Sequence, residues 1–108
     1  MATTTTSSSG GAASYAIDFN GSELQKLILD TNLTDLTFTT SNLAAGRKVR
    51  LLIDFTTNNP ALSTLTAPSW MWFTFDFASS VPYANSLVEF TSWGTTDAEV
   101  SANASEAA

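Results

Sequence analysis

Residues 42–55 read NLAAGRKVRLLIDF, and this stretch decides the fold class. Val49, Leu51, Ile53 and Phe55 alternate with Arg50, Leu52 and Asp54. A period of two sends one set of side chains to a buried face and the other to the opposite face, the signature of a strand. A helix would need apolar positions three and four apart instead. Asn42 to Gly46 supplies the turn before it, with a glycine that can take a positive φ.

The same period continues outward in both directions. Tyr15, Ile17 and Phe19 alternate with Ala16 and Asp18, and Asn20-Gly21 then marks a turn. Residues 23–29 (ELQKLIL) fit either spacing and are read as a strand or a short irregular segment. Leu36 and Phe38 alternate with Asp35, Thr37 and Thr39, residue types that suit a pleated surface. Downstream, Asn58, Asn59, Pro60 and Pro68 break any ladder and predict a long loop over residues 56–69. From Trp70 the alternation resumes, with Met71, Phe73, Phe75 and Phe77 on one face and Trp70, Trp72, Thr74 and Asp76 on the other. Both faces begin apolar, which calls for a second layer, a subunit contact or a ligand surface. Residues 87–93 (LVEFTSW) form another strand, Gly94 turns the chain, and residues 97–100 offer a short last strand. The expected fold is all-β, an antiparallel β-sandwich or small barrel over residues 14–100. No internal repeat is visible in the sequence.

The first thirteen residues and residues 101–108 are small, polar and almost uncharged. Such segments bury too little apolar surface to offset the entropy of ordering, so they are expected to be flexible arms that order only against neighbouring chains. The N-terminal segment has neither the basic start nor the apolar middle of a secretory signal.

At 108 residues, with 44% apolar and 11% aromatic side chains, the chain can hold one domain by burial alone. Ten acidic residues against four basic ones give a net charge of −6, which disfavours nucleic acid as a partner. Only 13% of residues are charged, a surface suited to packing against other chains. Residues 49–55 are too short and too interrupted by charge to span a bilayer, so no membrane partner is expected.

The chain contains no His and no Cys. That removes Ser-His-Asp and Cys-His catalysis and thiolate or imidazole metal sites, so neither enzymatic activity nor a cofactor is expected. Asp54, Asp76 and Glu89 are the carboxylates that a glycosidase reading would have to use, but strands carry such residues routinely to stay soluble. Two clusters remain as candidate interface residues. Arg47, Lys48 and Arg50 gather at a turn in an otherwise acidic chain and suit an acidic partner surface. Trp70, Trp72 and Trp93 suit subunit packing first and a sugar-stacking platform second.

Three stretches, LTDLTFTTSNLAAGRKVRLLIDF (33–55), PSWMWFTF (68–75) and LVEFTSWGTTDAEV (87–100), follow one another as strand, Asn-Leu-x-x-Gly turn, strand, Pro-Ser-Trp entry, strand and final hairpin. In this order they resemble small β-domains that recur in bacteriophage structural proteins, both capsid decoration (cement) proteins and tail-fibre tips. The resemblance implies a virion location, a homotrimer and the major capsid protein as partner. Its alternative is a receptor- or carbohydrate-binding tip. No residue role carries over from it.

Overall fold

The structure is a computed structural model that describes residues 1–7, 10–58, 62, 64–66, 72–73 and 85–107. Nine strands lie in these residues: β1 (Ala2–Thr5), β2 (Ala12–Asp18), β3 (Leu24–Ile28), β4 (Asp35–Ser41), β5 (Arg47–Asp54), β6 (Thr64–Thr66), β7 (Trp72–Phe73), β8 (Asn85–Ser92) and β9 (Val100–Ala107). A single 3-10 turn, Asp97–Glu99, accompanies them, and no α-helix occurs among the described residues. The mostly-β expectation holds. The strands form two open sheets on one core, not a closed barrel: a large sheet in the order β1-β3-β5-β8-β9-β7 and a small one in the order β2-β4-β6.

Strand direction departs from expectation. Only β5 with β8 and β8 with β9 pair antiparallel. The pairs β1–β3, β3–β5, β2–β4, β4–β6 and β7–β9 are parallel. The cause is that β1 to β6 alternate strictly between the two sheets, so each turn carries the chain across the core instead of reversing it within a sheet. Ala2 stands opposite Gln25 and Ala12 opposite Asp35, each pair 23 residues apart. The chain therefore winds as stacked coils, a structural repeat the sequence does not display. Equivalent positions differ too much in chemistry and burial for it to show: exposed Thr4 stands where the next coils have buried Leu27 and Ile53.

The expected arms are strands here. Ala2–Thr5 pairs with β3, residues 12 and 13 open β2, and β9 runs along β8 as far as Ala107. Weighing only apolar side chains overlooks what backbone pairing does for an uncharged, Thr-rich segment laid on an existing edge.

Inward residues of both sheets build the core, among them Ile17, Leu27, Leu36, Phe38, Leu51 and Phe90. Phe38 spans the gap between sheets: its ring meets Phe90 edge-on at 6.4 Å and Tyr15 at 6.3 Å. The corners repeat one device. The carboxylates of Asp18, Asp30 and Asp54 accept the backbone N–H two residues on, from Asn20, Asn32 and Thr56. Buried Asn58 ties successive coils together, its amide donating to the carbonyls of Asp30 (2.7 Å) and Leu33 (2.9 Å) while its Oδ1 accepts from Leu62 N (2.8 Å).

Candidate functional site

The large sheet's outward face is where three of the candidate residues, Lys48, Arg50 and Trp93, are found. On β5, Val49, Leu51 and Ile53 point into the core, so Lys48, Arg50 and Leu52 point out. Register extends each position into a row across neighbouring strands. Lys48 pairs with Thr91, Thr91 with Ser101, and Ser101 with the backbone of Trp72. In the next row Leu24 stands beside Arg50 and Arg50 beside Glu89. Lys26, Leu52 and Leu87 form a third.

Charge is unevenly divided between the two outer faces. Lys26, Lys48 and Arg50, three of the four basic residues in the chain, sit on the outer face of the large sheet. The outer face of the small sheet carries Ser14, Asp35, Thr37, Thr39, Thr64 and Thr66, all exposed, and no cation. Between the cations lie apolar side chains: Leu24 is 49% exposed, and Ile28 and Leu52 are half-buried. Lys26 reaches Asp54 at 3.8 Å and Arg50 reaches Glu89 at 3.9 Å, both at the long end for an ion pair. Pairs this open contribute little to folding and can exchange partners on docking. Lys48 has no hydrogen-bonding or ionic partner among the described residues.

Trp93 stands at one corner of this face, 62% exposed. Its Nε1 donates to Ser101 Oγ at 2.9 Å, which fixes the ring beside the first row. The loop under it closes around Glu99, whose Oε1 accepts from Thr95 N, Thr96 N and Thr96 Oγ1, while Trp93 N donates to Glu99 O at 2.8 Å. A Cβ on Gly94 would fall on the Glu99 carboxylate. Gly94→Ala should displace that carboxylate and cost about 1–2 kcal/mol. Chemical denaturation measures the loss, and an altered Trp fluorescence should accompany it.

The structure puts Lys48, Thr91 and Ser101 in one row, with the Trp72 backbone in register and Trp93 beside it, and places Arg50 one row away. Arg47 does something else. Its guanidinium donates to Asn42 O at 2.7 Å and holds the turn before β5, where Asn42 and Gly46 both take positive φ. Trp70 lies outside the described residues. Leu24, Leu52, Leu87, Thr91 and Ser101 escaped the sequence reading, yet Leu52 carried a signal: an apolar residue in the outward phase of the clearest strand.

Of the three candidate carboxylates, Asp54 and Glu89 do not form a catalytic pair. Asp54 aligns with Asn85 and Arg50 with Glu89, so Asp54 and Glu89 are four strand positions apart, roughly 13 Å, beyond the ~5–9.5 Å that glycosidases use. Asp76 lies outside the described residues. No group of His, Cys, Asp and Glu among the described residues is arranged to hold a metal ion.

Two carboxyls titrate below their ordinary value of 3.8. For Asp18 the Asn42 side-chain amide is the chief cause, then the Asn20 N–H, with attraction from Arg47. For Asp54 it is the Thr56 hydroxyl, then the Thr56 N–H, with attraction from Lys26. A lowered folded-state value means the stabilisation is present above about pH 4 and is lost as pH falls through the lower folded values. Urea denaturation between pH 6 and pH 2 should show this acid limb, and Asp18→Asn or Asp54→Asn should flatten it. Tyr15 is shifted upward by burial and then by Asp18. Its contribution is complete below about pH 10 and fades above that as the phenol ionises.

Comparison of the chain with protein-family models, with curated proteins and with solved structures finds no match.

Proposed function

We propose that this chain is a non-catalytic β-sandwich module of a bacteriophage particle, a capsid decoration protein that docks on the major capsid protein as a homotrimer. The observation that supports it is the outer face of the large sheet. On a chain of net charge −6, cations and partly exposed Leu and Ile side chains are interleaved there, while the opposite face is Thr-rich and carries no cation among its described residues. That pattern suits a protein partner with an acidic surface: the apolar centre loses its water and the loose ion pairs exchange. The terminal segments no longer contribute to this reading, because their own chain pairs them.

The test is a comparison of phage heads with and without the protein under heating and osmotic shock. Heads lacking it should rupture at lower temperature, and Leu52→Asp with Leu87→Asp should bind heads at least tenfold more weakly while keeping its β-type circular dichroism. Equal stability of bare and decorated heads would remove the reading. A second reading, a carbohydrate-binding tail-fibre tip, is favoured by Trp93, a large ring held exposed by its bond to Ser101.

A further inference from the structure

We propose that Trp93, Ser101, Thr91 and Lys48 form a subsite for acidic sugars, pyranosides bearing a carboxylate. The inference rests on the tail-fibre-tip reading and narrows its ligand. Three features along and beside one row carry it.

The first is a stacking surface that is already in place. The Trp93 ring is 62% exposed and its Nε1 bond to Ser101 Oγ restricts its rotation. A flat aromatic ring held this way packs against the apolar face of a pyranose, and little side-chain entropy is left to lose on binding. Second, the ring is bordered by hydroxyls. Thr91 and Ser101 are paired neighbours on the outward face, each half-buried, and each can donate or accept with sugar hydroxyls. Third, the row ends in a cation with no partner among the described residues. Lys48 pairs with Thr91 in register, placing its backbone two strands, about 10 Å, from Ser101. Of the four basic residues, Lys26 and Arg50 face carboxylates and Arg47 holds a backbone carbonyl, whereas Lys48 has no partner among the described residues.

These features select the ligand. A ring seated on Trp93 and its neighbour along the row would set a carboxylate within reach of the Lys48 ammonium. A neutral sugar leaves that cation unused. A nucleic acid would bring many phosphates to a chain of net charge −6, and repulsion opposes it. An extended peptide would dock on a strand edge through its backbone, whereas this row lies on a sheet face.

The experiment displays uronate- and sialate-bearing oligosaccharides beside their methyl esters, which keep the skeleton and remove the charge. Binding of the full chain is read at low and at physiological salt. Acidic forms should bind at least tenfold more tightly than their esters, with the difference shrinking as salt rises. Lys48→Ala should erase that difference, bringing the acidic form down to the level of its ester. Trp93→Ala should abolish binding of both, and Ser101→Ala should weaken both; far-UV circular dichroism confirms that each variant is folded. Equal binding of acid and ester, with Lys48→Ala silent, overturns the acidic subsite and leaves a sugar-binding tip standing. Binding of neither form overturns the subsite and the tip reading together.

Discussion

Phe38→Ala is expected to lower stability by about 3–5 kcal/mol and the melting temperature by roughly 15–25 °C. Phe38 is 1% exposed, belongs to the small sheet, and packs edge-on against Phe90 of the large one. Its truncation therefore removes more than its own burial. It opens a cavity where the two sheets meet, lined by residues held on separate ladders that cannot move together without breaking backbone pairing. Against a total of about 5–15 kcal/mol for a typical domain, a substantial unfolded fraction follows at 37 °C. Phe38→Leu, which keeps most of the volume, should recover over half of the loss. A Phe38→Ala variant melting within a few degrees of the wild type would mean that the sheets do not share this core. Urea denaturation followed by circular dichroism makes the comparison.

Asn58→Ala is expected to cost about 2–4 kcal/mol, although the residue carries no charge and little apolar surface. Asn58 is 4% exposed, and its amide serves two carbonyls of the preceding coil while its oxygen takes the N–H of Leu62. Alanine withdraws all three bonds at a place where water has poor access. Asn58→Asp gives a sharper result. It keeps an acceptor for Leu62 but sets a carboxylate against two carbonyl oxygens, so it should be at least as damaging as alanine at pH 7. Below about pH 4 the protonated acid can donate again and part of the stability should return, opposite in direction to the acid limb set by Asp18 and Asp54. An alanine variant within about 0.5 kcal/mol of the wild type would show that the coils do not depend on this side chain.

Much of the local structure was legible in the chain. Val49 to Phe55, Tyr15 to Phe19 and Leu36 to Phe38 were assigned to strands from their alternation, and the inward set of each is the set the core buries. The turn at Asn42 to Gly46 was equally plain, and Gly46 takes the positive φ expected of it, joined by Asn42, for which none was expected. The role of Arg47 was not, because a cation that binds its own turn reads like one free to bind a partner. Asn58 marked a loop in the sequence and proved to be a tie between coils. Composition shows that asparagine interrupts a ladder but not which distant carbonyls its amide will meet.

Alone, the sequence determined that the chain is built mainly of strands, which side chains of the clearest strands face inward, and that thiol and imidazole chemistry is absent. Those properties belong to a strand and its own two faces, or to the inventory of side chains. Only the tertiary structure decided that successive strands cross the core so that alternate ones pair parallel in stacked coils, that the terminal segments complete the large sheet, and that Lys48, Thr91 and Ser101 share a row with Trp93 beside it. Alternation with a period of two is the same for parallel and antiparallel neighbours. The partner of each strand, and so the grouping of its outward residues, is set by contacts between segments far apart in the chain.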